Sequence, residues 1–265
     1  MNQKKVITAM ICMLVWAASA SASVIAQGTV EIEILSDRGG QFFTIPYKDY
    51  AAGKTQVVKK YLEARKGENY SIVIRNNTPY RIGAVIAADG RNIISGKKSH
   101  LKNNEAMYIL NPREHTTYSG WRTDGSTVHR FYFTDESDSY SVRTFSDSSA
   151  MGVIAVTVFR EKKQRIPWFR KERSEGKAPS RSAPGAMFED RAGTGFGDEM
   201  HSPTVQVEFK PERKPFKKIL VKYEWRDRLC EMGIIRCGDY GNRLWDEHPG
   251  YAPFPPDYHG RLNFE

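Results

Sequence analysis

The chain has 265 residues, 27% charged and 12% aromatic, with 40 Lys and Arg against 31 Asp and Glu for a net charge of +9. That length accommodates one large domain or two small ones. Beyond the N-terminus no apolar run is long enough to span a bilayer, which excludes a helical membrane body.

The first segment reads as an export signal. Lys4 and Lys5 form a basic start, Ile7, Met10, Ile11, Met13, Leu14, Val15 and Trp16 an apolar middle, and Ala18-Ser19-Ala20 and Ala20-Ser21-Ala22 a small-residue cleavage region. Cleavage is expected by about residue 26, leaving a periplasmic or extracellular protein with no transmembrane segment. Losing Lys4 and Lys5 takes the charge from +9 to +7. In such a compartment the polyanions on offer are lipid headgroups, anionic glycans and proteins, so nucleic acid is not an expected partner. The basic residues are spread out, with some concentration in 162–177 and 210–222, as in an ordinary solvated surface.

Residues 27–160 alternate in the manner of β-strands and are expected to form a β-sandwich. In Tyr70-Ser71-Ile72-Val73-Ile74, positions 70, 72 and 74 share a face. Asn76-Asn77-Thr78-Pro79 predicts a turn, and Arg81–Ile86 a strand running back to Asp89-Gly90, a strong hairpin signal. Val128–Phe133 is alternating and aromatic. Met151–Phe159 is apolar on both faces, as in a central strand covered on each side.

Residues 161–203, rich in Lys, Arg, Gly, Ser and Pro, predict a linker or long loop. Residues 204–265 return to a β pattern, with strands at Val205/Val207/Phe209 and Ile219/Val221/Tyr223/Trp225. Next comes a helical turn near Arg228-Leu229-Cys230 with a strand at Gly233-Ile234-Ile235. Cys230 and Cys237 are expected to form one disulfide. The Trp245–Tyr258 tail mixes prolines with aromatics and suits packing along a groove. Many short strands without helical periods give a mainly β chain: an antiparallel sandwich, a long irregular linker and a small disulfide-tied C-terminal segment.

Two loops carry the candidate binding residues. Asp89, Arg91 and Asn92 lie in a Gly-flanked loop that suits an ion or carboxylate, or else makes the turn and ties it to its neighbours. Trp121 and Arg122 offer a stacking surface for sugars or peptides, or else cap the core. Gly193-Thr194-Gly195-Phe196-Gly197 lacks the preceding strand, following helix and Lys-Ser/Thr of a phosphate cradle, and reads instead as backbone docked on a sheet. Cys-x6-Cys matches no common zinc spacing, the histidines are isolated, and no Gly-x-Ser-x-Gly or His-Glu-x-x-His occurs. No metal, cofactor or catalytic residue is assigned.

The blocks Asp89–Gly96, Gly120–Thr123, Arg130–Thr134, Asp138–Tyr140 and Met151–Val156 resemble a group of exported proteins of Gram-negative bacteria. Gly193–Gly197 and Ser202-Pro203 are similar too, so that the resemblance spans about residues 61–225. The group has no assigned activity, so the resemblance implies export and β architecture and transfers no site. The expectation is therefore a non-catalytic envelope module that contacts a protein or glycan. The alternative is an envelope hydrolase or metal-dependent enzyme, which would gather His129, Asp89, Asp124 and Asp198/Glu199 into one pocket.

Overall fold

The structure is a computed structural model that describes residues 29–162 and 191–237. The N-terminal segment read as an export signal, most of the basic stretch after Lys162 and the Trp245–Tyr258 tail lie outside the described residues.

Two seven-stranded sheets pack face to face. The first runs β1 (Val30–Ser36), β4 (Asn69–Asn76), β10 (Thr127–Asp135), β12 (Ala192–Thr194). Short β8 (His115–Tyr118) adds to β4, while β9 (Gly120–Arg122) and β13 (Glu199–His201) add to β10. The second runs β2 (Thr44–Ala52), β3 (Thr55–Glu63), β14 (Lys217–Glu224), β11 (Val153–Arg160), β5 (Ile82–Ala88), β6 (Arg91–Asn92), with β7 (Tyr108–Leu110) beside β5. Every pair is antiparallel except β3–β14, which is parallel across more than 150 residues of chain.

Period-2 alternation builds the core. Val30, Ile32, Ile34, Tyr70, Ile72 and Ile74 of the first sheet meet Ile154, Val156, Val158, Ile219, Val221 and Tyr223 of the second, all buried. Tyr70 stacks on Phe131 and Phe133 at 5.3 and 4.3 Å between ring centroids, and Trp121 meets Phe131 edge-on. The strand read as covered on both sides is β11, which lies between β14 and β5 and is buried from Ile154 to Phe159.

The turn after β4 does not close a hairpin. Asn76 Oδ1 accepts from the Thr78 amide at 3.1 Å, turning the chain, but β5 then enters the opposite sheet. β5 is buried at all seven residues, a position the sandwich provides in the middle of its second sheet. Within 161–203, β12 and β13 add to β10, and β14 fills the gap between β3 and β11, so the C-terminal strand belongs to the same sandwich. Val205 and Val207 are exposed and lie outside any ladder; Phe209 covers Gly83, where a Cβ would stand 2.7 Å from its ring.

Two short helices complete the fold: α1 (Tyr140–Phe145), capped by the Ser139 hydroxyl, and α2 (Arg226–Glu231). After α2 the residues Gly233-Ile234-Ile235 form a turn and bend rather than a strand, and the Cys230–Cys237 disulfide, with Cα atoms 5.4 Å apart, closes the segment.

Candidate functional site

The residues singled out in the sequence are built into the fold around the β5–β6 turn and β9. Asp89 and Gly90 take φ of 47° and 75°, the left-handed pair that a tight β5–β6 turn demands. Asp tolerates that region, and its carboxyl swings inward, where it is 1% exposed. Oδ1 accepts from the Gly152 amide at 2.9 Å and the Tyr223 hydroxyl at 2.6 Å; Oδ2 accepts from the Thr194 amide at 2.6 Å. An ionised carboxylate only accepts, which fixes the hydroxyls beyond it. Tyr223 donates to Asp89, Thr194 Oγ1 donates to Tyr223 at 2.6 Å, and Tyr70 donates to Thr194 at 2.8 Å. One carboxylate thus orders groups from both sheets. Burial raises its pKa to about 6, against the lowering pull of the Tyr223 hydroxyl and the amides. Burial also raises Tyr70 and Tyr223 well above the ordinary phenol range.

Arg91 donates to Asp147 at 2.8 Å and lies over the Phe145 ring at 4.0 Å. Burial alone would raise Asp147, but Ser149 and Lys98 outweigh it and hold the carboxyl at about 2. Asn92 Oδ1 accepts from the Ile94 and Ser95 amides, and its amide donates to the Ala106 carbonyl at 2.8 Å. Trp121 is 2% exposed and donates to the Gly195 carbonyl at 2.9 Å. Arg122 binds the Tyr108 hydroxyl and the Ser202 carbonyl. These five residues spend their polar groups on the chain itself, except the buried Arg91 Nε, which has no hydrogen-bond partner.

The glycine block is backbone docked on β10. A Cβ on Gly195 would overlap the Tyr132 ring, and one on Gly197 would stand 2.9 Å from the Arg130 carbonyl. Between them Phe196 stacks on His129 at 4.2 Å and on Tyr140 at 5.1 Å. His129 Nδ1 lies 2.9 Å from the Gly197 carbonyl and so carries the proton. Of the residues whose clustering would mark an enzyme, His129 and Glu199 are cross-strand neighbours on β10 and β13, while Asp89 and Asp124 lie elsewhere. His129 packs under Phe196, Asp89 is interior, and Asp124 binds Ser126 in its own turn, which lowers its pKa. No group of three or more His, Cys, Asp or Glu among the described residues is arranged to hold a metal ion.

A groove of about 560 Å³ opens at one end of the sandwich, lined by residues that include Lys66, Asp135, Arg191, Trp225 and Arg228. Two ion pairs line it: Lys66 pairs with Asp135, and Arg228 with Glu231 at 2.9 Å.

The outer face of β2–β3–β14 is different, and sequence reasoning did not single it out. Register places Tyr50, Val57 and Lys218 in one cross-strand row, Lys48, Lys59 and Leu220 in the next, and Ile45, Tyr61 and Lys222 in a third. The bulge between Pro46 and Lys48 brings Tyr47 edge-on to Tyr61 at 5.1 Å. Tyr47 is 60% and Tyr50 40% exposed. Lys48 and Lys59 are directly opposed, an arrangement that destabilises a ladder. Among the described residues no carboxylate lies within ion-pair distance of Lys48, Lys59 or Lys218. Glu63 is taken by Arg226, Glu224 by Lys222, and Asp49 faces the other way toward Gln56.

No helix among the described residues is long and apolar enough to cross a membrane. No family model, curated protein or solved structure matches the chain.

Proposed function

We propose that the protein is an exported, non-catalytic β-sandwich module of a bacterial cell envelope and binds its partner through the outer face of β2–β3–β14. One observation carries this reading: Tyr47 and Tyr50 stand exposed, on an edge hairpin, beside lysines that have no carboxylate partner among the described residues. Opposed lysines and exposed rings cost stability in the free protein, and an anionic partner offsets both. The basic–apolar–small N-terminus and the Cys230–Cys237 disulfide support export.

The test is photo-crosslinking in intact cells, with a photoreactive residue at Tyr47 or, as control, at exposed Arg38. A discrete adduct of signal-cleaved protein from Tyr47, absent from Arg38 and lost on Lys48→Glu, is the expected result. Equal labelling from both positions, or recovery of the uncleaved chain in the cytoplasm, overturns the proposal.

A further inference from the structure

We infer that the tyrosine–lysine face takes an acidic polysaccharide, a chain of uronate-type or otherwise anionic sugars; this deepens the proposed function and rests on it. β3 and β14 are paired on both sides, while β2 is the edge of the sheet. The rings and lysines stand on the face of these strands, whereas an extended peptide would dock by backbone hydrogen bonds along the β2 edge. Those side chains are of two kinds. Exposed Tyr47 and Tyr50, with half-buried Tyr61 beside them, provide amphipathic rings whose faces suit the CH-rich faces of pyranoses.

Lys48, Lys59 and Lys218 provide point charges on flexible stems, which follow charges repeated along a polymer without demanding a fixed fork geometry. Charge complementarity gives the sign of the ligand. Lys48 and Lys59 repel across the ladder, and no carboxylate among the described residues pairs with them or with Lys218, so the face favours a negatively charged ligand. The Lys48 ammonium lies over the Tyr50 ring, 5.6 Å from its centre, so a sugar carboxylate that meets Lys48 is within reach of the tyrosine as well.

The experiment uses protein purified from cells expressing the full chain, in affinity electrophoresis through gels containing polygalacturonate, polyglutamate or neutral dextran. Retardation by polygalacturonate is expected, with weaker retardation by polyglutamate and none by dextran. Tyr47→Ala with Tyr50→Ala should weaken polygalacturonate binding about tenfold and leave the polyglutamate mobility unchanged. Lys48→Ala with Lys59→Ala should weaken both. These positions are surface ones, and circular dichroism checks the fold. Equal retardation by the two polyanions, indifferent to the tyrosines, overturns the inference in favour of unselective charge attraction. No retardation by either polyanion overturns it too. In that case an adduct from Tyr47 in cells leaves the binding face standing with another partner, while its absence removes both readings.

Discussion

The Tyr223 hydroxyl lies 2.6 Å from Asp89 Oδ1, and this contact joins the β5–β6 turn to β14 in the centre of the molecule. Through Thr194 the same chain of hydroxyls reaches Tyr70 in the facing sheet. Removing the carboxylate orphans two buried amides and the phenol that now donate to it. Asp89→Ala is expected to cost about 3–5 kcal/mol of unfolding free energy, the scale for uncompensated buried polar groups. Tyr223→Phe, which keeps the ring and removes one donor, should cost about 1–3 kcal/mol. Urea titrations of the two variants and their double mutant measure the coupling. A cycle with no coupling energy would contradict the hydrogen-bond chain.

The same carboxyl makes stability depend on pH. Its pKa is about 6 in the folded protein against an ordinary 3.8, so the folded state holds a proton that the unfolded chain has released. Such a raised group contributes stability that is complete below about pH 3.8 and is lost as pH rises through about 6. Taken alone, Asp89 makes the protein more stable at pH 5 than at pH 7. The Asp89→Asn variant should lose this part of the dependence, which a comparison of melting temperatures across the window detects. Identical slopes for the two proteins would place the dependence elsewhere.

Much of this interior follows from the order of residues. Tyr70-Ile72-Ile74, the aromatic alternation of β10 and the two-faced apolar run of β11 each identify a strand, because burial on one or both faces imposes its own period. Asp89-Gly90 identifies a turn from its backbone preference alone, while the inward swing of the Asp89 carboxyl depends on Tyr223, Thr194 and Gly152, which are distant in sequence. β12 and β13 escape sequence reading since each is three residues long, too short for a β pattern of its own; they form strands because β10 offers an open edge. The outer face escapes it for a similar reason. Tyr50, Lys59 and Lys218 come together when β14 enters parallel beside β3, a pairing no local pattern announces. The alternation of Tyr47, Lys48, Tyr50, Lys59 and Tyr61 was the available clue.

Gly195 is required by contact with the Tyr132 ring. Gly195→Val should destabilise by about 1–3 kcal/mol through overpacking. Tyr132→Ala, which vacates the contested space, should recover part of that loss when combined with it. Additive losses measured by thermal unfolding would show that the ring contact is not the cause.

The disulfide closes a short loop after α2. Reduction, or Cys230→Ala, is expected to cost on the order of 2 kcal/mol, the chain-entropy scale for so small a loop. The effect should appear first as faster hydrogen exchange in residues 226–237, with the Asp89 surroundings still protected. Unchanged exchange on reduction would count against a bonded pair.

The account turns on which surface makes contact, and cosedimentation of purified protein with washed envelopes of a Gram-negative bacterium decides it most directly. Wild type and Arg122→Ala, altered in β9 at a side chain whose polar groups serve the fold, are expected to sediment alike, while Lys48→Glu with Lys59→Glu stays in the supernatant. The reverse pattern, with the charge-reversed face still bound and Arg122→Ala released though folded, would contradict the account and return the function to the loops around Trp121.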